Sequence, residues 1–297
     1  MNPKIINWLI FSALSFIWGS SFILIKEGLI NLSAFQVASI RMVSSGIILF
    51  PIAIKSIRHI PLSKLFIVFL SGVMGSLLPS YLFCLAETGI GSALAGTLNS
   101  LTPIFVIIIG ALFFQSKTSA LKITGILVAF AGSILLYISQ PGYAENHNFQ
   151  YVLYIIVATV FYGINVNMVH RHLQDIPSLQ IAGVALFLNA IPAFIVLYFT
   201  GYFHLELDSP GILVSTAYSC VLGIFGTAIA SIIFYMLIKR AGAVFSSMVT
   251  YGIPLVAIMW GILFGEAIGW AHIISLLFIL AGVYIANSAK SNKGVRE

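Results

Sequence analysis

The sequence predicts an all-α polytopic membrane protein, with ten transmembrane helices arranged as two inverted five-helix repeats. Three observations predict it: scarce charge, ten apolar runs of spanning length, and self-similarity at a constant offset. Only 7% of the 297 residues are charged and 60% are hydrophobic. A soluble domain carries roughly 25% charged residues, so a water-soluble enzyme is excluded. Aromatics at 13% exclude disorder, and 10 Pro with 25 Gly are too few for a collagen-like or low-complexity chain.

The apolar runs, taken as crossings 1 to 5, are Ile6–Ile25, Ala34–Ile54, Leu65–Leu85, Ser92–Phe114 and Ala120–Ile138. Crossings 6 to 10 are Tyr151–Val169, Leu179–Phe199, Gly211–Met236, Ala243–Phe264 and Ile268–Ala286. A helix needs about 20 apolar residues to span the hydrocarbon, where each backbone group must be bonded internally. Crossing 1 is too long for a signal-peptide core and lacks a small-residue cleavage site before Lys26, so it stays in the protein. The polar stretches Gln140–Gln150 and Gly201–Pro210 are too short to fold as domains, and the chain has no P-loop. ATP-driven transport within this chain is excluded.

Charge sign sorts by side. Lys4, Lys55, Arg58, Lys64, Lys117, Lys122, Arg171, Lys239, Arg240, Lys290, Lys293 and Arg296 fall on the face of the N-terminus. The opposite face has Lys26 together with Glu27, Glu87, Glu145, Glu206, Asp208 and Glu266. The positive-inside rule places both termini in the cytoplasm, and the pattern requires an even number of crossings. The net charge of +6 is therefore topological and does not indicate nucleic-acid binding. Cys84 and Cys220 sit in apolar runs as small buried thiols, with no C-x-x-C or His/Cys cluster.

The halves superpose by hand. An offset of 151 carries Gly72, Gly75, Phe83, Gly91, Pro103 and Gly110 onto Gly223, Gly226, Phe234, Gly242, Pro254 and Gly261. An offset of 144 carries Trp18-Gly19 onto Tyr162-Gly163 and Gln36 onto Gln180. With five crossings each, the second half enters the membrane from the opposite side. Such repeats are typical of alternating-access carriers, whose site lies near the midplane between the halves. The domains follow as 1–140 and 151–287, an inter-repeat loop 141–150 and a basic tail 288–297.

Three stretches resemble the drug/metabolite transporter superfamily, specifically its ten-helix EamA-type members. They are Phe16-Ile17-Trp18-Gly19-Ser20-Ser21-Phe22 with Lys26, Arg41 in crossing 2, and the pre-proline starts Gly91-Ser92-Ala93 to Pro103 and Gly242-Ala243 to Pro254. Glu266 follows the second start where the family has glutamate, whereas Gln115 replaces it in the first half. The resemblance implies a central cavity and transport of small metabolites, often export of amino acids. The expected location is the inner membrane, with no cofactor, and His170, His172, His204 and His272 lie at ends or loops, so no metal site is expected. Small relatives that expel cations use a glutamate in crossing 1, and no acid lies between Ile5 and Lys26 here.

Polar groups within a bilayer are costly and so are candidate functional groups. The cavity candidates are Trp18, Ser21, Arg41, Tyr81, Asn99, Tyr162, Asn165, Tyr235, Ser247 and Tyr251. The hinge candidates are Pro79, Pro103 and Pro254, since proline removes a helix hydrogen bond. Arg41 has two readings: attraction of a substrate carboxylate, or a structural role, as a pair with Glu27, Glu87 or helix-end carbonyls or by snorkelling to the interface. For Ser, Thr and Asn the competing role is interhelical hydrogen bonding. Glu87 and Glu266 are placed near the outer boundary, which favours a facilitator or weak proton coupling over a carboxylate-driven antiporter. Metabolite enzymes of the H-E-x-x-H or G-x-S-x-G kind leave no signature. The alternative is a membrane enzyme acting on lipid or isoprenoid carriers, whose polar cluster would lie at one interface. Partners are the bilayer and a small-molecule substrate, with the carrier a monomer or homodimer.

Overall fold

A computed structural model describes residues 2–139, 149–256, 259 and 269–288. Among them there is no strand, and nine helices are long and apolar enough to cross a membrane. The remaining crossing, the ninth, is helical from Ala243 to Val256, and its continuation, with Trp260 and Glu266, lies outside the described residues.

Local chemistry sets each element. Crossing 1 spans Pro3–Gly28, with Asn2 capping Lys4 N–H at 3.0 Å and proline at the first helical position. Crossing 2 spans Ala34–Ile57 and begins in a reciprocal capping box between Ser33 and Gln36. Crossings 5, 6, 7 and 10 are continuous over Ala120–Ile138, Phe149–His172, Ser178–Phe199 and Trp270–Ser288. Side chains facing outward are large and apolar: Leu112 is 70% and Phe113 76% exposed. Lipid covers such a surface at no hydrophobic cost.

The other four crossings are interrupted, where the sequence predicts plain runs. Crossing 3 is Leu62–Gly72, a π-turn Val73–Leu77, then Leu78–Ala86. Pro79 follows that π-turn, and its missing N–H suits a register that already skips the ordinary bond. Crossing 8 is Pro210–Val221, a π-segment Leu222–Ile229, then Ala230–Ala241, five residues beyond its predicted end. Crossing 4 runs Ser92–Asn99, breaks at Ser100–Leu101, and resumes as Thr102–Phe113 with Pro103 in its first turn. Crossing 9 starts as Ala243–Ser247 after Gly242, whose φ of +85° favours glycine, and tightens to a 3-10 turn over Met248–Gly252 before Pro254.

The two halves pack through equivalent contacts. A Cβ on Gly223 would strike Ser44 and the Arg41 carbonyl of crossing 2, and one on Gly72 would strike Asn189 and the Ala185 carbonyl of crossing 7. Likewise Gly226 abuts Ser21 and Gly75 abuts Asn165. Gly19 abuts Val256, and Gly163 abuts Phe105. Apart from Ser44 and Asn189, which are one position out of step, the contacting residues map onto their counterparts at the offsets 144 and 151 read from the sequence. Small residues let membrane helices approach this closely, with van der Waals contact replacing the absent hydrophobic drive. The two repeats are thus one packing scheme used twice, in opposite orientations. Crossings 5 and 10 pair separately, with Gly125 against Ala286 and Gly282 against Ala129.

Candidate functional site

The π-segments of crossings 3 and 8 face a cavity of about 80 Å³ between the repeats. At one water per roughly 10–15 Å³ of such space, this is room for a molecule of a few heavy atoms. The lining comes from crossings 1, 2, 3, 4, 6, 8 and 9, all four interrupted crossings among them.

Arg41 supplies the charge. Its Nε donates to Thr227 Oγ1 at 2.6 Å, and Thr227 in turn donates to the Leu222 carbonyl at 3.4 Å inside the π-segment. Neither Glu27 nor Glu87 is its ion-pair partner; among the described residues the salt bridge is Lys64–Asp175 at 2.6 Å, on the surface. There Lys64 holds the exposed Asp175 carboxyl below its usual range. Arg41 therefore lines the cavity bonded to a neutral hydroxyl and keeps its charge uncompensated by any close carboxylate.

The neutral polar groups follow from the helix interruptions. Trp18 Nε1 donates to the Gly226 carbonyl at 3.1 Å, an acceptor available because the π-segment shifts the ladder. Thr102 Oγ1 donates to the Asn99 carbonyl at 2.8 Å across the break of crossing 4. Ser247 and Thr250 Oγ atoms donate to the carbonyls of Val244 and Ser247. Ser21 Oγ donates to the Ile17 carbonyl at 2.7 Å. Asn165 is 2% exposed, and its Oδ1 has no hydrogen-bond partner. A buried amide oxygen without a partner costs about 1–3 kcal/mol, which a bound donor would recover. Aromatic walls complete the space: Trp18 meets Phe234 edge-on at 5.0 Å, and Phe83 lies 6.0 Å from both Phe22 and Tyr162.

On the side carrying the described chain ends, crossings 1, 8 and 9 are joined by polar and aromatic contacts. Ser15 Oγ donates to the Val249 carbonyl at 3.2 Å, Trp8, Phe11 and Phe245 form an aromatic cluster, and Arg240 Nε donates to Asn7 Oδ1. The lining of crossing 1 starts only at Trp18 and extends to Ile25.

A profile of the EamA-like transporter family matches residues 5–138 and again 149–288. The chain belongs to the EamA-like transporter family. An uncharacterized transporter of Archaeoglobus fulgidus is 28% identical over 281 residues, covering 94% of this chain and 98% of that one. The uncharacterized inner membrane transporter YedA of Escherichia coli K12 is 24% identical over 286 residues, covering 94% and 89%. A solved crystal structure shares the fold with a TM-score of 0.73 at 15% identity, over 94% of this chain and 96% of the other. The protein is a multi-pass membrane transporter and not an enzyme.

Of the residues singled out from the sequence, Trp18, Ser21, Arg41, Asn99, Tyr162, Asn165, Tyr235 and Ser247 line the transporter's cavity together. Tyr81 and Tyr251 do not. Tyr81 shares a hydrogen bond of 2.7 Å with Ser39, and Tyr251 is fully buried with its hydroxyl donating to the Ile126 carbonyl at 2.9 Å. Pro79, Pro103 and Pro254 stand outside the lining, next to the interruptions that shape it. Thr227, Ser76 and Ser231 line the cavity and were missed. A signal existed: Ser76 and Thr227 each follow a matched glycine, and they correspond at the 151 offset. Among the described residues no group of His, Cys, Asp and Glu is placed to hold a metal.

Proposed function

We propose that this transporter carries a small zwitterionic metabolite of amino-acid type by alternating access through the cavity between its repeats. The single observation that carries the reading is the pairing of Arg41 with an unpartnered acceptor, Asn165 Oδ1, in one small cavity. Arg41 offers charge-assisted donors for a carboxylate. Asn165 Oδ1 offers an acceptor for an ammonium group, and the aromatic walls accept a short apolar side chain.

The mechanism follows from the packing. The contacts around Ser15, Phe11 and Phe245, with the cavity beyond them, support a state of the carrier that is closed at this end. The inverted repeats supply the other end-state by exchanging their roles, with the paired glycines as the sliding surfaces. Substrate shifts that equilibrium only through unequal affinity for the two states. The direction of net movement follows the substrate gradient together with any ion gradient coupled to it. Polar residues gathered between interrupted helices, far along their crossings, favour this over a lipid-carrier enzyme, whose polar cluster would sit at one interface. The charge sorting supports cytoplasmic termini, and the likeness to an inner membrane transporter of Escherichia coli supports an inner-membrane location.

Purified protein in liposomes, offered a panel of labelled amino acids and neutral analogues lacking the carboxylate, tests the reading. Movement of amino acids in preference to the carboxylate-free analogues is expected. Equal movement of both, or of neither, refutes it. Cysteine tags at Asn2 and Lys293 are expected to label only from the cytoplasm; labelling from opposite sides would end the even-crossing topology.

A further inference from the structure

Beyond the cavity, at the far end of crossing 3, the chain buries a carboxyl group. Glu87 follows Ala86, the last helical residue, in the turn that leads into crossing 4. Its Oε2 accepts from Ser92 Oγ at 2.7 Å, and Ser92 is the first residue of crossing 4. Its Oε1 is shut off from solvent and has no hydrogen-bond partner. An ionised carboxylate requires acceptor bonds to both oxygens when it leaves water, and one unbonded oxygen is costly. A carboxylic acid needs fewer. The cations whose charge reaches it are Arg41 of crossing 2 and Lys26 of crossing 1, and Cys84 lies one turn before it. Tyr151 of crossing 6 packs over Gly89 in the same turn. Burial outweighs the Ser92 hydrogen bond and the fields of Arg41 and Lys26, pushing the Glu87 carboxyl up to about 8 from an ordinary 4.5.

The position links this group to the cavity twice. Arg41, which lines the cavity, is also among the cations acting on Glu87. The segment held by Ser92 is the short helix Ser92–Asn99, whose other end delivers Asn99 to the cavity before the break at Ser100–Leu101. We propose that Glu87 is the proton-binding site of this carrier, holding its proton more tightly while a carboxylate-bearing substrate occupies Arg41 and giving it up more readily once the substrate has left. The charge balance sets the sign. A substrate carboxylate offsets the Arg41 charge that favours the ionised form of Glu87, so its binding at Arg41 favours the protonated acid. The proton moves from water to the carboxylate oxygen and back, with no other bond made or broken. Substrate and proton therefore bind cooperatively and travel in the same direction. Release of the proton leaves a carboxylate that pulls on Arg41 and Lys26 and changes how Ser92 holds the start of crossing 4.

This inference rests on the carrier reading, and the test separates the two. Infrared difference spectra of the purified, substrate-free protein at pH 7 are compared for the wild type, Glu87→Gln and Glu87→Asp. A protonated-carboxyl band in the wild type, lost in Glu87→Gln and moved in Glu87→Asp, is expected; the same band in all three overturns the proton site. In liposomes loaded with the amino-acid panel, a pH gradient is expected to change wild-type flux several-fold, with Glu87→Gln still exchanging substrate but no longer responding. A wild type indifferent to the gradient overturns the coupling. If no compound moves at all, the carrier reading fails and coupling falls with it, while the infrared spectra still decide whether Glu87 holds a proton. Glu87→Asp keeps the carboxyl and guards against a Glu87→Gln protein that does not fold.

Discussion

The two repeats of this transporter share a backbone and differ in chemistry. Gly72 against crossing 7 is matched by Gly223 against crossing 2, and a π-segment follows each glycine or spans it. Positions at the site do not match. Arg41 corresponds to Ala185, Trp18 to Tyr162, Ser21 to Asn165, and Asn99 to Thr250. In the proposed carrier cycle, the symmetric part supplies the two states that the repeats exchange. The asymmetric part decides what the cavity recognises, with the donor on one half and the free acceptor on the other.

The largest effect is expected from breaking the symmetric part. Gly223→Val places methyl groups against the Arg41 backbone, and Gly72→Val does the same at Ala185. Overpacking costs about 1–3 kcal/mol, and here the neighbour is backbone. Both variants should lose most of their folded yield in size-exclusion chromatography, by similar amounts. A tolerant Gly72 beside an intolerant Gly223 would show that the halves are not mechanically equivalent.

Next comes the asymmetric charge. Arg41→Ala should lower transport of carboxylate-bearing compounds about 10- to 100-fold, from a charged hydrogen bond worth roughly 1.5–3 kcal/mol, and leave carboxylate-free analogues nearly unchanged. Trp18→Phe removes the donor to the Gly226 carbonyl, worth about 0.5–1.5 kcal/mol, and should slow turnover a few-fold for every substrate. Smaller still, Tyr251→Phe loses a bond to Ile126 outside the cavity. It should lower the melting temperature slightly without altering substrate preference.

The pH dependence isolates one group of the first repeat. The folded protein holds the Glu87 proton more tightly than the unfolded chain does. Stability from this group is fully present below 4.5 and declines as pH rises toward about 8. The melting temperature should fall across that window in the wild type and fall less in Glu87→Gln.

The sequence made the scaffold legible because its signals are local or periodic. Apolar runs mark crossings, charge marks their ends, and the offset of 151 survives at residues such as Gly75, Gly226, Pro103 and Pro254, where close approach or a missing N–H allows little substitution. Eight cavity residues were also readable, being polar or aromatic groups inside those runs. The rest depended on side-chain direction. Tyr81 and Tyr251 share the depth and chemistry of Tyr162 and Tyr235, yet their hydroxyls meet Ser39 and the Ile126 carbonyl instead. Arg41 found a threonine 186 positions away, which no local pattern reports. The π-segments were hidden for a similar reason: a one-residue slip in hydrogen bonding leaves hydropathy unchanged. Glu87 reads as an outer-boundary charge until the burial of its Oε1 is seen.

The most direct test of the central claim is a competition assay in liposomes carrying wild type or Arg41→Ala. One amino acid that the wild type transports is challenged by its own decarboxylated and amidated analogues. The account predicts that the wild type prefers the intact amino acid by at least tenfold and that Arg41→Ala abolishes the preference while retaining flux of the analogues. An unchanged preference in a folded Arg41→Ala protein would contradict it.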